Sequence, residues 1–70
     1  MSTYKERVNN ECDELSEKRA SLVDFMHGDV YASLPATDQG LLMVQLVAMD
    51  NYLDALTRRI QIFNEGDNNE

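Results

Sequence analysis

The sequence predicts an all-α fold: a two-helix antiparallel hairpin, helix one over about 4–26 and helix two over about 35–63, assembling with copies of itself into a helical bundle. Three observations predict it. The second half of the chain carries an unbroken heptad seam, the first half carries a looser helical stripe, and residues 28–35 between them hold the chain's only proline and one of its three glycines.

The first helix starts at a capping box. Thr3 offers a hydroxyl to a free backbone N–H, and Glu6, three residues on, suits the positive end of the helix dipole. Tyr4, Val8, Cys12, Leu15, Leu22, Phe25 and Met26 then recur at helical spacing, with one gap at Lys18 and Arg19. Glu14 and Lys18 form a favourable pair four residues apart. Gly28 is expected to stop the helix by adopting the left-handed conformation, with His27 serving as a donor or cation at the negative terminus. Residues 29–34 form the connector, in which Val30, Tyr31 and Leu34 are expected to cover the end of the core. Pro35 opens the second helix, because it has no N–H to leave unsatisfied and pushes Leu34 out of the helical region.

The second helix gives the clearest signal. Leu42, Leu46, Met49, Leu53, Leu56, Ile60 and Phe63 alternate spacings of four and three, the signature of a coiled-coil seam. Leu41, Met43, Val44, Val47 and Tyr52 lie beside that seam and make the helix apolar nearly all round in its first half. One partner helix covers only part of such a circumference, so these five residues are expected to face another copy of the chain. The polar, acidic residues 64–70 read as a disordered tail beyond a hairpin of residues 1–63.

Composition narrows the functional classes. Seventy residues bury too small a fraction of their surface for comfortable stability alone, and Cys12 is the only cysteine, so no disulfide framework supplies a staple. A structural zinc has no ligand set when His27 is the only other soft ligand. Nothing resembles a signal peptide, and the longest apolar run, 41–44, does not span a bilayer. A soluble protein of a reducing compartment is expected. The net charge of -7 disfavours duplex DNA and anionic membranes. No phosphate-binding glycine loop, HExxH or nucleophile–histidine pattern is present, so neither enzymatic activity nor a cofactor is expected.

The placement of the cations is more informative than their number. Folding the hairpin around 26–37 sets position 7 opposite position 58, so Lys5, Arg7, Arg58 and Arg59 gather at the open end with Tyr4 as a stacking plate. Lys18 and Arg19 fall near mid-helix, where a symmetry-related chain would approach. Guanidinium forks beside an aromatic ring suit a small phosphorylated, base-containing ligand. The competing expectation is that these arginines pair with Glu6, Asp54, Glu65 or Asp67 as ordinary surface ion pairs.

Five short motifs add a resemblance: Tyr-Lys-Glu-Arg-Val at 4–8, Ser-Leu-Pro at 33–35, Gln-x-Leu-Leu at 39–42, Gln-Leu-x-Ala-Met at 45–49 and Leu-x-Arg-Arg-Ile at 56–60. Over residues 4–63 the chain resembles the crAss-phage-related short hairpin proteins, and through them the helical hairpin of phage sponges against CBASS and Thoeris defence. The resemblance implies a homo-oligomer in the cytoplasm of an infected bacterial host that binds cyclic-nucleotide immune messengers and withholds them from an effector. It implies that Arg58, in its Leu-x-Arg context, touches the nucleotide, and that Tyr4 with Lys18 or Arg19 serves a second pocket. Two other classes stay open: an acidic inhibitor of a host defence complex, as a DNA mimic or anti-CRISPR protein acts, and a structural assembly module.

Overall fold

In the computed structural model, which describes residues 3–68, Thr3 is extended and its hydroxyl accepts the Glu6 backbone N–H at 3.1 Å, so the N-cap forms as its sequence predicts. Helix α1 runs Tyr4–Met26, α2 is a short helix over Asp29–Ser33, and α3 runs Ala36–Asn68. The two long helices lie antiparallel along a molecule of 54 × 21 × 16 Å. All helices, and no strands, make up the described residues.

The seam is where the sequence placed it. Leu56 is the most buried side chain at 1% exposure, Val8 on α1 follows at 4%, and the other seam residues of α3 are half-buried. Cys12, Leu15, Leu22 and Met26 meet that seam from α1, half-buried as well. Cys12 is a free thiol that packs as a small apolar residue. The core is therefore a single row of interdigitated side chains, one layer thick.

The turn corrects one expectation. Gly28 is not left-handed; its φ and ψ are -95° and 172°, and no described residue has positive φ. The end of α1 is closed without it. His27 and Gly28 donate their backbone N–H groups to the carbonyls of Asp24 and Phe25, at 3.2 and 3.1 Å. His27 Nδ1 lies 2.7 Å from the Val23 carbonyl, the donor role read for it from sequence. Gly28 is freed to swing out and start α2, its carbonyl accepting the Ala32 N–H. Val30 does not cover the core and is 62% exposed, whereas Tyr31 and Leu34 are half-buried.

Leu34 is extended (φ -72°, ψ 152°), as a residue before proline should be. Pro35 caps α3 instead of opening it, its carbonyl accepting the Gln39 N–H at 3.1 Å. Gln39 then locks the turn in a way the sequence did not announce. Its side-chain Nε2 donates to the carbonyls of Tyr31, Leu34 and Ala32 at 2.9, 3.1 and 3.3 Å, while the Tyr31 hydroxyl donates to the Gln39 carbonyl at 3.3 Å. One amide so satisfies the carbonyls that end α2, and the Phe25 ring meets Tyr31 edge-on at 6.3 Å.

The far end corrects another. Residues 64–68, expected as the start of a disordered tail, continue α3. No proline interrupts them, and Gly66 keeps negative φ, where its lower helix propensity weakens a turn by about 1 kcal/mol without breaking it. Asn69 and Glu70, the last of that expected tail, lie outside the described residues.

Candidate functional site

At the open end the antiparallel register brings the first turns of α1 against residues 59–63 of α3. Arg59 Nη2 donates to the Tyr4 hydroxyl at 2.6 Å, and its guanidinium carbon sits 5.4 Å from the centre of the Tyr4 ring. The Lys5 ammonium lies 5.5 Å from the centre of the Phe63 ring, and the two rings meet edge-on at 6.3 Å. Two cations thus sit against two rings in a contiguous cluster, with Tyr4 53% exposed. The Tyr4 oxygen, as hydrogen-bond partner and then as a charge, raises the Arg59 pKa above its ordinary value, with Glu11 adding a smaller electrostatic contribution.

The remaining sequence candidates separate. Arg58 pairs with Asp54 at 3.0 Å on the same helix, so the competing expectation of a surface ion pair holds for it. Within the single hairpin Arg19 forms an ion pair with Asp50 across from it. The hydrogen bond and charge of Asp50 raise the Arg19 pKa. The side chain of Arg7 pairs with no described carboxylate at the exposed open end. Lys18 forms no ion pair with Glu14 among the described residues; both border an open groove of about 530 Å³ with Glu17, Ser21, Gln45 and Met49. Asp67, another acid weighed as an arginine partner, lies outside the described side chains.

Sequence reasoning missed two participants. Phe63 was assigned wholly to the seam, yet its ring also carries Lys5. Tyr52, expected to face another chain, reaches across its own hairpin and donates its hydroxyl to Glu11 while remaining 47% exposed. The signal for both was register: numbers rise through Tyr4, Glu11 and Arg19 on α1 as they fall through Arg59, Tyr52 and Asp50 on α3.

The rest of the proposed outer face is as apolar and open as its sequence. Leu41, Met43, Val44 and Val47 are each more than half exposed. No group of three potential metal ligands occurs among the described residues, and no described helix is long and apolar enough to cross a membrane.

Fold and site together define a class: small helical hairpins with a cation–aromatic open end and an uncovered apolar flank. Within it, the chain belongs to the Sequestin family, whose sequence profile matches residues 2–62. It is also similar to an uncharacterised 7.5 kDa protein from the denB-rIIB intergenic region of Enterobacteria phage T4, with 33% identity over 63 residues, 90% of this chain and 98% of the relative. No solved structure matches. The likeness to small phage proteins read from the motifs is carried by these matches; the narrower likeness to anti-CBASS and anti-Thoeris hairpins is not. The matched span takes in Tyr4, Lys5, Arg7, Lys18, Arg19, Arg58 and Arg59, with Phe63 one residue beyond it.

Proposed function

We propose that the chain is a phage counter-defence sponge, which binds cyclic-nucleotide immune messengers at its open end and withholds them from a host effector without cleaving them. The observation that carries this reading is the cluster of Arg59 and Lys5 on the rings of Tyr4 and Phe63. Rings offer a stacking plane for a base, and guanidinium and ammonium groups offer donors for phosphate oxygens. The family's name, which denotes sequestration, agrees with that reading at a coarse level. Arg7 joins the ligand from the same end, and Lys18 from the groove. The roles first given to Arg19 and Arg58 require them to leave Asp50 and Asp54, which exposed pairs do readily. The protein acts as a homo-oligomer in the cytoplasm of the infected bacterium.

Calorimetry against cyclic di- and trinucleotides and ADP-ribose-type messengers tests this. Stoichiometric heat with one of them, lost in Arg59→Ala, is the expected result; no heat with any of them at high protein concentration refutes it.

One observation favours a second reading. With Arg19 and Arg58 each held by an aspartate, the exposed acids Asp13, Glu14, Glu17 and Asp24 dominate the outer surface of α1. That surface suits an inhibitor that docks on a basic host protein. A stoichiometric protein partner in a pull-down, with no nucleotide released on denaturation, would select it over the sponge.

A further inference from the structure

The flank of α3 has an internal symmetry that the hairpin itself does not use. Beside the seam run Leu41, Val44, Ala48, Asn51, then Tyr52, Ala55, Arg59 and Ile62, all exposed. Their spacings are three, four and three on either side of a point between Asn51 and Tyr52. At about 100° per residue they fall on one stripe, and Met43 falls outside it. Reversing the helix about that point lays Leu41 on Ile62, Val44 on Arg59, Ala48 on Ala55 and Asn51 on Tyr52. Large residues meet at the ends, small ones near the middle, and polar ones at the centre. A two-fold interface demands this self-complementarity, since each residue must meet in the partner the one that meets it.

A rod of 54 × 21 × 16 Å exposes more area than a compact chain of its mass, enough to give up an interface. A globular chain of 8.0 kDa exposes about 4,450 Å². This chain exposes 5358 Å², roughly 900 Å² more. A stable interface covers about 800 Å² per partner. The apolar ends of the stripe are the most exposed of the large apolar side chains described, with Leu41 at 63%, Val44 at 65% and Ile62 at 68%. Alanines at 48 and 55 let two helix backbones approach closely between those ends.

We infer that the occupant of this flank is a second copy of the chain, with the two α3 helices antiparallel about an axis between Asn51 and Tyr52. Charge selects the antiparallel sense. A parallel pair sets Arg59 against Arg59 of the partner subunit. The antiparallel pair carries Arg58 and Arg59 over the half of the partner where two acids, Glu14 and Glu17, and one cation, Lys18, border the groove. The stem of Arg59 then covers Val44 of the partner subunit while its head stays with Tyr4. The candidate site is incomplete without this contact: each Tyr4–Arg59 platform gains a wall from Leu41 of the partner subunit and Val44 of the partner subunit, and the dimer holds two such sites. The inference deepens the self-association named in the proposed function and stands independently of which ligand is bound.

Sedimentation of the unmodified full-length protein at high micromolar concentration is expected to give at least twice the 8.0 kDa of one chain. The register is tested by oxidative cross-linking in a Cys12→Ser background. Carrying Ala48→Cys and Ala55→Cys together, the protein should form a covalent dimer, because those positions face each other across the axis. Either cysteine alone should stay uncross-linked, since its symmetry mate lies about 10 Å further along the helix, beyond the roughly 7 Å Cα separation a disulfide bridges. A mass of one chain for the unmodified protein, or cross-linking by Ala48→Cys alone, overturns the inference. A null result in nucleotide calorimetry leaves the mass and the cross-link unchanged, so the two proposals fail separately.

Discussion

Leu56→Ala is the sharpest test of where the hairpin's stability lies. Leu56 is the most completely buried side chain, at 1% exposure, in a core one layer thick whose other buried member is Val8 at 4%. Truncating a buried leucine removes about 2–5 kcal/mol, the upper part of the range applying where the walls cannot collapse. Here α1 and α3 are bridged on either side of the gap only by the exposed Arg59–Tyr4, Tyr52–Glu11 and Arg19–Asp50 contacts, which restrain the backbones without fixing them, so a loss in the lower half of that range, about 3 kcal/mol, is expected. A domain of this length is stable by roughly 4–10 kcal/mol in all, so the variant should keep between about a quarter and about seven-tenths of its stability. In urea, with a slope near 1 kcal/mol per molar, the midpoint should fall by about 3 M. Helix circular dichroism during a urea titration reads it. Ile62→Ala is the control, since it removes a comparable side chain that is 68% exposed in the single hairpin. Its effect should vanish on dilution and grow with protein concentration, because only association covers it, whereas the Leu56→Ala loss includes a part present at every concentration. A Leu56→Ala midpoint within 0.5 M of the unmodified protein, an allowance of about 0.5 kcal/mol, would refute the assignment of the core.

Other expectations concern the two ends. Tyr4→Phe keeps the ring beneath Arg59 but deletes the hydroxyl that Arg59 donates to; unfolding titrations should scarcely move, because the contact is exposed, while nucleotide heat falls several-fold because the guanidinium is no longer held in place. Gln39→Ala leaves the carbonyls that end α2 without their amide donor and should lower stability by about 1–2 kcal/mol, read by the same urea titration, with amide exchange accelerating in residues 29–34 before elsewhere. Arg19 and Arg59 are both shifted upward by their partners, so whatever stability those contacts contribute is complete below the ordinary arginine range and is lost only as pH rises through it. Ligand affinity measured between about pH 6 and 9 should therefore show no step from these two groups, and a step that disappears in Arg59→Lys would contradict their assigned state.

The helices were legible because each is specified by repetition. The Thr3 cap, the stripe of α1 and the heptad of α3 carry the same message several times over, and one irregular residue does not erase it. The turn was legible only in outline. Which residue closes α1 depended on competition among backbone donors, and His27 won it in a right-handed conformation, which left Gly28 nothing left-handed to do. The Gln39 amide escaped notice because a glutamine in the first turn of a helix carries no signal of what lies eight residues back. At the open end, sequence brought Tyr4, Lys5 and Arg59 together correctly, since hairpin register follows from turn position alone. It did not divide the cations that an aspartate takes from those set against a ring. That division rests on whether an aspartate stands within reach: Asp54 does so for Arg58 one turn away on α3, a spacing visible in the sequence, whereas Asp50 reaches Arg19 across the hairpin, where side-chain direction decides.

A row of contacts laid between antiparallel helices also sets an order of closing. Tyr31 meets Gln39 after eight residues, Arg19 meets Asp50 after thirty-one, Glu11 meets Tyr52 after forty-one, and Tyr4 meets Arg59 after fifty-five. The hairpin is a zipper with its stop at the Gln39 lock, and the rung that completes last and frays first is the one carrying the cation–aromatic cluster. Amide protection should be lowest over the first turn of α1, outside the buried Val8, and a molecule gripping Tyr4 and Arg59 together would act as the clasp, slowing exchange there far more than near the turn.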